Sequence, residues 1–81
     1  MVEARKTNPV NVEWEAYAKN VLKGELKRRG VTYAQLAERL AALDVHETER
    51  NLNNKISRGG FSAAFLFQCL RAIGSAQLLL D

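Results

Sequence analysis

The chain has 81 residues, 47% of them hydrophobic and 26% charged, with a net charge of +3. That is one small globular domain with a single modest core, which excludes a disordered chain and a multidomain enzyme. The single cysteine cannot form an intramolecular disulfide and fits a cytoplasmic setting, and no apolar run is long enough to span a membrane or serve as a signal peptide.

Residues 1–11 read as a flexible polar arm. Arg5 and Lys6 suit a minor-groove contact, and the plainer reading is a frayed tail. A first helix is expected from about Val12 to Arg29, with Asn11 as N-cap and Glu13 and Glu15 in its first turn, where the helix dipole favours negative charge. Trp14, Tyr17, Ala18, Val21, Leu22 and Leu26 recur at steps of three and four, which predicts one buried face with Trp14 and Tyr17 in the core. Gly24 inside the helix would admit a neighbouring helix at close range. Gly30 follows the basic last turn as a natural left-handed stop.

Lys19, Lys23 and Lys27 form a stripe at four-residue spacing. With Arg28 and Arg29 they make a candidate phosphate-gripping edge; the plainer reading is a solvated face supported by a Glu15–Lys19 pair.

Thr32 and Gln35 match a capping box that starts a second helix, with Leu36, Ala37, Leu40 and Leu43 inward and an end near Leu43. Residues 44–47 connect to Thr48, the expected N-cap of a third helix that ends at Gly59 and Gly60. In this helix Leu52 and Ile56 point one way. At about 100° per residue, Arg50, Asn54, Ser57 and Arg58 then face the opposite side, flanked by Asn51 and Asn53. Asn is a mediocre helix former, so a helix surface of Asn and Arg is a costly way to stay soluble. The same side chains carry the paired donors and acceptors that match adenine and guanine edges in a major groove. Candidate base contacts are therefore Arg50, Asn53, Asn54, Ser57 and Arg58, with Lys55 joining the phosphate contacts.

Phe61 and Ser62 open a last helix whose inner stripe is Phe65, Leu66, Cys69, Leu70 and Ile73, closed by Gly74. Residues 75–81 form an apolar tail. Phe67 falls off the inner stripe; with Leu78, Leu79 and Leu80 it makes a candidate homodimer interface, the competing reading being that the tail folds back over the core.

From Leu22 to Gly74 the chain resembles helix-turn-helix domains of the lambda-repressor-like class. The matching residues are Thr32, Leu36, Ala37 and Leu40, then Ile56, Arg58 and Gly59, and finally Ser62, Leu66, Ala72 and Gly74. It differs in its longer first helix and in running on through Ala41, Ala42, Leu43 and Asp44 before the third helix, a lengthened turn. The resemblance implies an all-α four-helix bundle over residues 12–74 that binds double-stranded DNA as a homodimeric bacterial transcriptional regulator. The blocks LKGELKRRG at 22–30 and LNNKISRG at 52–59 are also similar to an uncharacterised bacterial family of small helical domains.

Other classes are less favoured. The only histidine, His46, sits in a connection with no nucleophile at helical spacing, so no catalytic residue is expected. One His and one Cys make no metal site, no phosphate-binding glycine motif is present, and no cofactor is expected. Cys69 reads as core. An RNA-binding role is disfavoured by the lack of a displayed aromatic pair. The main alternative is a protein–protein interaction module on the same scaffold, contacting a protein partner through the exposed third helix and Phe67.

Overall fold

In the computed structural model, which describes residues 9–78, four helices follow one another: α1 (Pro9–Arg29), α2 (Tyr33–Ala41), α3 (Glu49–Arg58) and α4 (Ala63–Ala72). The described residues contain no strand, and none of their helices is long and apolar enough to cross a membrane. α3 packs against α1 and α2, and α2 also packs against α4. One core results: Leu22 and Leu26 from α1, Val31, Leu36 and Leu40 around α2, Leu52 and Ile56 from α3, and Phe65, Cys69, Leu70 and Ile73 at α4. Burying whole leucine and isoleucine side chains contributes roughly 1.5–3 kcal/mol each, the main force holding such short helices in place.

The ends of the helices follow local chemistry. Thr32 and Gln35 form the expected capping box, Gln35 N–H to Thr32 Oγ1 at 3.1 Å and Thr32 N–H to Gln35 Oε1 at 3.0 Å. Thr48 and Ser62 cap α3 and α4, accepting from the Asn51 and Phe65 amides at 3.0 Å each. The chain after α1 closes with Gly30 N–H donating to Lys27 and Val31 N–H to Leu26, a left-handed stop with Gly30 at φ 68°. Gly74 repeats this after α4, with Ser75 N–H donating to Leu70.

Several expectations are corrected. α1 begins at Pro9, not Val12. Proline suits a first helical position because its missing N–H would have had no partner there. Asn11 is thus inside the helix and not its cap, and no acidic residue lies in the first turn. The helix takes in the last residues of the expected arm, while Arg5 and Lys6 lie outside the described residues. α2 ends at Ala41 and tightens through a turn in which Asp44 adopts φ 63° and Val45 N–H reaches back to the Leu40 carbonyl.

Gly24 meets nothing within 4 Å; the close approach is at Gly59, against the α1 backbone at Glu15. Trp14 and Tyr17 are not core: they are 64% and 37% exposed. The three short helices and their connections cover only one side of α1, so apolar residues on its other sides stay in water. The expected burial of Leu43 also fails, since α2 has already ended and the residue is exposed.

Candidate nucleic-acid interface

α3 is fixed by its two fully buried residues, Leu52 and Ile56, one turn apart. Gly59 ends it in a left-handed conformation, φ 78°, its N–H donating to the Lys55 carbonyl. The outward side then carries Arg50, Asn53, Asn54, Ser57 and Arg58, all exposed. Ser57 Oγ donates to Asn53 Oδ1 at 3.2 Å, which orients that amide. Arg50, Asn54 and Arg58 make no side-chain hydrogen bond or ion pair among the described residues. The guanidinium and amide groups expected to read bases are therefore unspent.

The basic residues divide into two groups. Lys23 and Lys27 are exposed and Lys19 is half-buried; none forms an ion pair among the described residues, and the Glu15–Lys19 pair does not form. Arg28, Arg29 and Lys55 are engaged by their own chain. Arg28 donates to both Glu25 carboxylate oxygens at 2.7 and 3.0 Å. Arg29 bridges Glu25 and the Ile73 carbonyl, both at 3.4 Å. Lys55 Nζ lies 2.6 Å from Glu47 Oε2 and 5.0 Å from the Phe65 ring centre. Arg29 and Lys55 tie separate segments together while Arg28 stays within α1, and the charge of all three is partly neutralised. The Arg28 and Arg29 hydrogen bonds, and one from Ser75, keep the Glu25 carboxyl below the usual carboxylate range against the opposing effect of desolvation.

Tyr33 links the two surfaces, a role that the sequence reading missed. A groove lined by Lys23, Lys27, Thr32 and Tyr33 adjoins another lined by Tyr33, Thr48, Arg50 and Asn53. The free lysine edge of α1 and the polar side of α3 are thus neighbours across one half-buried tyrosine. Partial burial raises its phenol above the usual range. The one available signal was its place at the first turn of α2, beside the capping Thr32.

The remaining expected site residues lie elsewhere. Phe67 is 64% exposed, beside Leu43, Leu70 and Leu78 in an apolar groove. Leu78 is half-buried and packs on the core; Leu79 and Leu80 lie outside the described residues. His46 is exposed and hydrogen-bonded to Asp44 at 2.9 Å. No cluster of three or more potential metal ligands occurs among the described residues. Burial pushes the Cys69 thiol up to about 12, with a smaller push from Glu47. An aromatic pair is displayed after all: Trp14 and Tyr17 touch edge to face, centroids 5.9 Å apart and planes at 87°. Rings so crossed do not form two successive stacking platforms.

A family model described as a domain of unknown function (DUF6471) matches residues 14–78. No curated protein and no solved structure matches the chain.

Proposed function

The chain belongs to the DUF6471 family, and from that premise and the surface described above we propose that it is a sequence-specific duplex DNA-binding domain of helix-turn-helix type, acting in transcription regulation. The observation that carries this reading is on α3. Two buried residues pin the helix while Arg50, Asn54 and Arg58 remain exposed and unpaired among the described residues, and Arg50 adjoins the free Lys23 and Lys27 of α1 across Tyr33. In this reading α3 enters the major groove, and Asn53, oriented by Ser57, contributes a directed amide. Lys19, Lys23 and Lys27 hold the flanking phosphates. Contacts of the second kind set affinity and salt dependence, those of the first kind sequence choice.

The test is a salt titration on random duplex DNA followed by selection of bound sequences. Binding should weaken with salt, with a log–log slope of about −0.9 per phosphate neutralised. Lys23→Ala should weaken all sequences alike and reduce that slope by about one. Asn54→Ala should lose roughly 1–3 kcal/mol on the selected sequence only and relax choice at one base pair. Equal losses on every sequence for both variants would refute base reading.

One observation favours the second reading, a protein-interaction module. Residues 42–48 separate α2 from α3, where the usual turn is about three or four residues. No retention on duplex DNA at low salt would favour that module.

A further inference from the structure

α1 carries a second stripe that the core of its own chain leaves largely uncovered. Trp14, Tyr17, Val21, Gly24 and Arg28 follow one another at alternating steps of three and four, the spacing of a helix–helix seam. At 100° per residue this stripe lies about 140° around the helix from Leu22 and Leu26, which face the core. Trp14 and Tyr17 are exposed and in ring contact, Val21 is half-buried, and space is open over Gly24.

We propose that this stripe is a self-association seam on which a second copy of the chain packs its own α1 antiparallel. Size and charge both select that arrangement. With the two-fold axis crossing at the level of Lys19, Trp14 of each copy lies opposite Gly24 of the other, and Tyr17 opposite Val21. The indole fills the space that glycine leaves, twice by symmetry. A parallel pairing would set Trp14 on Trp14 and leave a void between two glycines, which is a poorly packed interface. The flanks agree. Glu13 and Lys27 border the stripe on the same side, exposed and without an ion pair among the described residues. Only the antiparallel arrangement brings Glu13 of one copy to Lys27 of the other, and does so at both ends. The seam is separate from the Phe67 groove; it shares Lys27 with the proposed phosphate edge but does not require DNA binding, so it is tested with DNA absent.

Sedimentation equilibrium of the full chain without DNA tests this. The expected result is a concentration-dependent dimer. Trp14→Glu should leave a monomer with unchanged helical circular dichroism, since the ring is 64% exposed and outside the core, touching Tyr17 of its own helix at the edge of a groove it shares with Gly59 and Ser62. Gly24→Leu should also raise the dimer dissociation constant by filling the slot, although its space in one copy is open. Glu13→Lys should raise that constant roughly tenfold by replacing two attractions with two repulsions. Adding Lys27→Glu should restore it. A chain monomeric at every concentration, a dimer indifferent to Trp14→Glu, or a charge reversal that the double variant does not rescue would each overturn the proposal.

Discussion

At Gly59 α1 passes so closely that a side-chain carbon would overlap the Glu15 backbone carbonyl, and the backbone is already left-handed. The two demands are independent, one of space and one of conformation. Gly59→Ala should therefore destabilise the fold by about 2–4 kcal/mol in urea unfolding, combining left-handed strain with overpacking. Gly24 is the opposite case. It sits inside α1 with nothing near it. Gly24→Ala should stabilise dilute protein by up to about 1 kcal/mol through helix propensity alone. Sequence marks both glycines as unusual but assigns the close approach to Gly24, because a contact between distant segments leaves no local pattern.

At the scale of the element, three devices were legible because they depend on neighbours in sequence: the Thr32–Gln35 capping box and the caps at Thr48 and Ser62. The end of α2 was less so. Asp44 takes the left-handed position that glycine fills after α1 and α4. Replacing it with glycine loses only an exposed contact to His46 and removes the strain of a side chain at positive φ. Asp44→Gly should thus raise the denaturation midpoint, by an amount equivalent to about 1 kcal/mol.

Glu25 acts between elements. From α1 it holds Arg28 and Arg29 and accepts from Ser75 Oγ at 3.3 Å, just beyond α4. Its folded-state pKa is lowered, chiefly by the Arg28 hydrogen bond. A lowered carboxyl favours the folded state while ionised, so its contribution is present above the unfolded pKa and disappears as pH falls through the folded one. Glu25→Gln should flatten the loss of stability with acidification across the carboxylate range, as followed by thermal melts.

At the scale of the whole molecule, Cys69 reports on the integrity of the bundle. It is fully buried and its thiol is raised to about 12, so at neutral pH it is both inaccessible and protonated. Its reaction with a thiol reagent in native buffer should proceed only through opening of the core. The rate should rise in step with each destabilising substitution above, Gly59→Ala in particular. Fast labelling of the folded chain at neutral pH would contradict the packing at α4.

The bundle is 36 × 28 × 17 Å, and its longest member is α1, about 31 Å by helix geometry. That disproportion explains which parts of the chain could be read in advance. The apolar period of each short helix named its inward residues correctly at Leu36, Leu40, Leu52, Ile56, Phe65 and Cys69, because in a helix of about three turns one apolar stripe faces the core along its whole length, Phe67 off that stripe staying exposed. The polar side of α3 followed from the same period. In α1 the apolar residues spread over a wide arc, and only tertiary packing decided that Leu22 and Leu26 enter the core while Trp14 and Tyr17 face water. Burial is a property of where partners end, and helices half the length of α1 cannot cover it all. Adjacency of the α1 lysines to Arg50 and Asn53 across Tyr33 was likewise set by the fold, which brings together segments that share no local period.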